Sequence, residues 1–160
     1  MNVSDKIFCN SLYLGDLKIN DDDTMTFETP HKRNGVQRNR KFFYDLGDIV
    51  YFMFVDNVLM KIGKAAGKHG WYGRIGMYQE GAGPRGDRTN QMIIKKMREL
   101  GQDTINVFAI QAPRAKTTVT CPIFNETIDV ELETASKLES VFTNKYLSEM
   151  NIAKLPFCTQ

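Results

Sequence analysis

An apolar run from Ile49 to Val55 is broken by only two residues, Asp56-Asn57, before a second run from Val58 to Ile62. The first run is dense in β-branched and aromatic residues, which pack well on a pleated surface. Two such runs around an Asp/Asn pair read as a β-hairpin. The second run passes through Lys61-Ile62-Gly63-Lys64 into a loop with Gly67, Gly70 and Gly73. A short helix is expected next, with Arg74 and Tyr78 four residues apart on one face. Two strands and a helix thus gather Tyr51, Lys61, Arg74 and Tyr78. Such a set suits a phosphodiester: an arginine for the phosphate oxygens, hydroxyl and amine groups for proton traffic.

At 160 residues with 42% hydrophobic content, the chain has the size of one domain with a core of its own. No apolar run approaches the length that spans a bilayer, so no membrane partner is expected. The opening residues, MNVSDKIFCN, lack the basic flank and apolar centre of a signal peptide. Cys9, Cys121 and Cys158 are far apart and odd in number. They resemble neither a disulfide framework nor a zinc site, and a reducing cytoplasm is expected. His31 and His69 are too few for a histidine-based metal site.

The net charge of +2 says little, but its distribution is segregated. Residues 6 to 28 read as a hairpin with Asn20-Asp21-Asp22-Asp23 at its turn. The aspartates lack the spacing and terminal glutamate of a calcium loop, so a solvated turn is expected. Residues 31 to 41 then hold Lys32, Arg33, Arg38, Arg40 and Lys41 with no acidic residue. A mobile loop of this charge suits DNA phosphates contacted without base reading; a plain solvated loop is the alternative. Phe42, Phe43 and Tyr44 can stack on bases, but core packing is the expected use. Lys64 and Lys68 extend the basic surface, and double-stranded DNA is the expected partner. The segment Gly67 to Gly73 invites a phosphate-loop reading, which fails because no serine or threonine follows Lys68. Trp71 is expected to be a packing residue.

Asn90 to Leu100 reads as a helix closed by Gly101, and residues 104 to 112 as a third strand stopped by Pro113. Residues 114 to 131 read as two short strands, placed either for substrate preference or for contact with a second copy. Residues 133 to 150 form the best helix, with an apolar stripe through Ala135, Leu138, Val141, Phe142, Tyr146 and Met150. Glu139 lies at the edge of that stripe, either as a surface residue or as a partly buried functional carboxylate. The expected fold is α+β: a small antiparallel three-stranded sheet flanked by helices, with a β-rich N-terminal extension. The division expected is 1–48 for the extension with its basic loop, and 49–160 for the core, with an insertion at about 114–131.

Ile49-Val50-Tyr51, then Lys61-Ile62-Gly63 ten residues after Tyr51, then Arg74 on the following helix, resemble the GIY-YIG nuclease superfamily. Ile49 replaces the first glycine and Lys61 the second tyrosine. Some restriction endonucleases of the superfamily use KIG there, with a tyrosine four residues after the arginine, which Tyr78 matches. The resemblance covers about Ile49 to Cys158. It implies that Glu139, in the context Leu138-Glu139-x-x-Phe142, holds a divalent metal, Mg²⁺ or Mn²⁺; Glu133 is the alternative, with helix capping as its plainer role. Cys158 stands where the family has asparagine, and no role passes to it.

The resemblance further implies that Tyr51 deprotonates the attacking water, that Arg74 holds a non-bridging oxygen, and that Tyr78 orients water or phosphate. Lys61 would assist Tyr51 by its charge. The implied activity is hydrolysis of DNA phosphodiesters, as in a restriction or phage endonuclease. The competitor is a GIY-YIG-like domain that has lost catalysis and binds DNA or protein. The remaining reading is an unrelated α+β chain with a chance match. A homodimer is expected, because a duplex has two strands and each chain one centre.

Overall fold

The computed structural model describes residues 1–30, 39–81 and 88–158. Its elements are α1 (Val3–Asn10), β1 (Leu12–Ile19), β2 (Met25–Glu28), α2 (Arg40–Asp45), β3 (Ile49–Val55), β4 (Val58–Ala65), α3 (Gly70–Gln79), α4 (Arg88–Leu100), β5 (Thr104–Gln111), β6 (Ala115–Thr120), β7 (Thr127–Leu132) and α5 (Ala135–Met150).

The hairpin forms where the two apolar runs place it. Asp56 and Asn57 both have positive φ, 47° and 64°. A two-residue turn of this hand matches the twist of the flanking strands, and Asp and Asn tolerate it best after glycine. The register sets Tyr51 opposite Gly63 and Met53 opposite Lys61, with a bulge before Phe54.

Five strands pair antiparallel in the order β2-β1-β5-β3-β4. The expected trio of β3, β4 and β5 is therefore continued by β1 and β2, because β1 pairs with β5 along Leu12 to Lys18. Every residue of β3 is buried, since both faces of the sheet are covered. One face carries Tyr51 and Met53 against Phe43 of α2, Trp71 and Ile75 of α3 and Ile93 and Met97 of α4. The other carries Val50 and Phe52 against Ile7 of α1 and Ala135 and Tyr146 of α5.

The N-terminal hairpin is present from Leu12, but residues 6 to 10 belong to α1 rather than to a strand. Asn2 caps α1 by accepting from the Asp5 amide at 2.7 Å. Helical spacing puts Val3 and Ile7 together against the α5 side of the core. The acidic turn is solvated as expected: Asp22 accepts from Thr24, and Asp23 pairs with Arg98 at 3.1 Å. Arg40 and Lys41 were expected in a loop; they begin α2, where Asn39 caps the helix by accepting from the Phe42 amide at 3.0 Å. Among the described residues, no helix is long and apolar enough to cross a membrane.

Candidate active site

β4 is an edge strand of the five-stranded sheet. α3 reaches it from one face and α5 from the other, so groups from opposite faces can meet at the edge. A cleft of about 210 Å³ lies there, lined by Tyr51 of β3, Lys61 of β4, Arg74 and Tyr78 of α3, and Glu139 of α5. All five expected site residues thus come together.

Tyr51 is the anchor. Its ring lies across Gly63, and a Cβ at that position would stand 2.4 Å from the ring Cζ and from the hydroxyl. The missing side chain of Gly63 is therefore the space that the Tyr51 ring occupies over β4. Trp71 packs beside the ring, with centroids 5.1 Å apart, which fixes the plane of the phenol. The hydroxyls of Tyr51 and Tyr78 share a hydrogen bond of 2.6 Å. Burial pushes the Tyr51 pKa up to about 12; the Tyr78 hydrogen bond and the Arg74 charge act against that rise. The phenol is accordingly neutral at physiological pH.

The cations are held by the backbone. Arg74 donates from Nη2 to the Lys64 carbonyl at 3.2 Å, and Lys61 Nζ donates to the Phe157 carbonyl at 3.4 Å. Among the described residues, no carboxylate pairs with either within ion-pair distance. Their charge faces the cleft rather than an internal partner. Lys64 differs: its Nζ donates to Ser136 Oγ and lies 3.8 Å from Glu133.

Glu133 and Glu139 separate cleanly. Glu133 accepts from the Ser136 amide and hydroxyl, each at 2.7 Å, and so closes the start of α5. Glu139 lines the cleft. Partial burial raises its pKa, and Lys64, Lys61 and Arg74 act against that rise. Among the described residues, no group of three or more histidines, cysteines or carboxylates is arranged to hold a metal ion. A small hard cation that keeps several waters needs only one or two protein carboxylates beside the substrate's oxygens, and Glu139 fits that demand.

Asn90 is the site residue that sequence reading missed. It is buried at the edge of the cleft and donates to the Met77 carbonyl at 2.8 Å, tying the last turn of α3 to α4. Its signal was a polar residue in register with Ile93 and Met97 on an apolar helix stripe.

Of the remaining expected DNA contacts that are described, Arg40, Lys41 and Lys68 do not line the cleft. Lys32, Arg33 and Arg38 fall outside the described residues. Lys41 pairs with Asp45. Lys68 is exposed beside Asp48 and Arg114, where Arg114 Nε donates to Asp48 Oδ2 at 2.9 Å and the Gly67 amide to Oδ1 at 2.9 Å. Arg40 lies over two rings, 4.8 Å from the Tyr72 centroid and 5.4 Å from that of Tyr44. The two tyrosines stack at 5.6 Å, and His69 Nδ1 shares a 3.3 Å hydrogen bond with the Tyr44 hydroxyl. Of the aromatic trio, Phe43 is core, while Tyr44 belongs to this surface stack.

No family model matches the chain, and no curated protein does. Among solved structures it is similar to restriction endonuclease HPY188I in complex with product DNA, with a TM-score of 0.53 and 17% identity over 97% of this chain and 83% of that one. It is also similar to a mutant of bacteriophage T4 EndoII, with a TM-score of 0.52 and 15% identity over 94% of this chain and 93% of that one. At these identities the likeness is one of fold: the chain has the fold of two nucleases.

Proposed function

We propose that this chain is a divalent-metal-dependent DNA endonuclease of the GIY-YIG type, with lysine in the second signature. The observation that carries this reading is the convergence of Tyr51, Lys61, Arg74, Tyr78 and Glu139, from two strands and two helices, on one cleft. The two fold neighbours support it, one being a restriction endonuclease solved with product DNA. Double-stranded DNA is the proposed substrate.

Arg74 binds a non-bridging phosphate oxygen, where negative charge grows as water attacks. Tyr51 first loses its own proton to solvent, and the phenolate oxygen Oη then accepts the proton of that water. Because the phenol is neutral in the free chain, this role needs positive charge close by, and Arg74 acts in that direction. Tyr78, 2.6 Å from Tyr51, holds the Tyr51 oxygen in line and orients water or phosphate. The P–O3′ bond breaks as the P–O bond to water forms, leaving a 5′ phosphate, and Lys61 gives the departing 3′ oxygen its proton. Glu139 would hold Mg²⁺ or Mn²⁺, which when bound supplies charge against the phosphate and the leaving oxygen.

The test is incubation of supercoiled plasmid with Mg²⁺ or Mn²⁺, beside an EDTA control and a Glu139→Gln twin. Nicked or linear product from the wild type alone is expected. A plasmid that shifts on a gel yet stays intact in every metal would instead make the chain a binding module.

A further inference from the structure

Lys64 of β4 joins the two sides of the cleft. Its carbonyl accepts from Arg74 Nη2 of α3 at 3.2 Å, so the start of its side chain is a fixed point. The side chain itself runs to α5, where Nζ donates to Ser136 Oγ and lies 3.8 Å from a Glu133 carboxylate oxygen. The Ser136 hydroxyl in turn donates to Glu133 at 2.7 Å. One hydroxyl thus accepts from the ammonium and donates to the carboxylate, as its single proton and its lone pairs allow. Glu133 is also held by the Ser136 amide at 2.7 Å.

Glu139 lies three residues beyond Ser136, on the same side of α5. Side chains so spaced start about 5–6 Å apart, within the swing of a long, flexible lysine stem. Lys64 and Glu139 both line the cleft. Yet among the described residues no cation stands within ion-pair distance of Glu139. Burial raises the Glu139 pKa, and Lys64 leads the cations that act against that rise. The ammonium therefore has two carboxylates in reach and takes Glu133. The choice matters for a divalent ion. An ammonium seated on Glu139 would donate into the oxygens that such an ion needs, and its charge would repel the ion.

We infer that Glu133 and Ser136 tether the Lys64 ammonium away from Glu139 and so leave that carboxylate open to a divalent cation. The inference rests on the reading of Glu139 as the carboxylate that holds the metal. Glu133 and Ser136 act through Lys64 and do not touch the ion, so they are positioning residues. Both are needed. Lys64 and Glu133 are part-exposed, and an ion pair in that setting holds weakly by itself. The Ser136 hydroxyl supplies the directional bond that makes the Glu133 side the preferred one.

Mn²⁺ binding to the DNA-free protein, followed by the electron paramagnetic resonance signal of the free ion, tests this without any use of cleavage. Ser136→Ala changes no charge. It should nonetheless raise the Mn²⁺ concentration at half-saturation roughly tenfold, the lower end of what loss of an outer partner costs. Glu133→Gln should do the same. Lys64→Gln should bind Mn²⁺ at least as tightly as the wild type, and in the Ser136→Ala background it should restore the wild-type midpoint. Independent effects would shift both backgrounds equally, and lost packing would not be rescued by a second substitution. A Ser136→Ala midpoint equal to that of the wild type overturns the inference. So does a Ser136→Ala/Lys64→Gln pair no better than Ser136→Ala alone. A loss confined to Glu133→Gln also overturns it, by making Glu133 a ligand of the ion. So does a wild type that binds Mn²⁺ no better than Glu139→Gln. If the tether variants behave as stated and plasmid is not cut, the nuclease reading alone fails.

Discussion

Gly63 and Glu139 carry the sharpest consequences at the level of single residues. A methyl group at Gly63 meets the Tyr51 ring at 2.4 Å, and that ring is wedged against Trp71. Gly63→Ala should cost about 1–3 kcal/mol in a urea melt, the usual range for overpacking. It should also abolish plasmid cleavage, because the phenol must leave its place beside Tyr78. A variant that melts like the wild type and still cuts would show that the ring can yield. Glu139 makes a pH-dependent prediction. Its folded pKa lies above the unfolded one, with burial as the main cause. Well below both values the two states bind the proton equally. As pH rises through the folded pKa the carboxyl must ionise in a half-buried site, so folding stability falls. Glu139→Gln removes that fall. Its melting temperature relative to wild type should be higher at neutral pH than at strongly acid pH, and a gap independent of pH would contradict the assignment. Metal-supported cleavage should decline over the same acid range as Glu139 protonates.

Between elements, α2 and α3 build a second surface that the cleft does not include. Arg40 of α2 lies on Tyr72 of α3 and on Tyr44, which stack on each other. Arg40 Nη2 donates to the Tyr44 hydroxyl at 3.3 Å, and a guanidinium over rings keeps its other donors for a phosphate. Among the described residues no carboxylate pairs with Arg40. In fluorescence anisotropy with duplex DNA, Arg40→Gln should weaken binding and lower the salt slope by about 1. Tyr72→Ala should weaken binding through loss of the stack with the slope nearly unchanged. Equal affinities for all three proteins would remove this surface from the DNA path.

For the molecule as a whole, the N-terminal hairpin is part of the main sheet. β1 pairs with β5, and Leu14, Leu17 and Ile19 are buried in the same core as Tyr51. Removing residues 1–30 would bare the backbone of β5 along an apolar edge, a template for aggregation. The truncated chain should fail to fold to a soluble species, read by circular dichroism and sedimentation. A soluble, cooperatively melting fragment would show that residues 31–160 suffice. The pairing of β1 with β5 across some ninety residues also explains why periodicity alone could not place β1 and β2: strand patterns report a strand, not its neighbour.

Local pattern was enough for elements whose causes are local. The unbroken run Ile49–Val55, the Asp56-Asn57 turn and the apolar stripe of α5 each state their own structure, and the spacing of Tyr51, Lys61, Arg74 and Tyr78 made one shared site legible. Helix α1 was hidden because Val3 and Ile7 leave too short a stripe to read without the surface it covers. Tertiary structure decided the rest. Only the strand order puts β4 at an edge, and only an edge lets α3 and α5, packed on opposite faces, bring Arg74 and Glu139 to one cleft. Glu133 and Glu139 likewise differ in direction, since one carboxylate turns back to its own helix start while the other lines the cleft with Lys61 and Arg74. Sequence sets which groups a chain carries; side chains far apart along it meet only when packing fixes the path of the backbone between them.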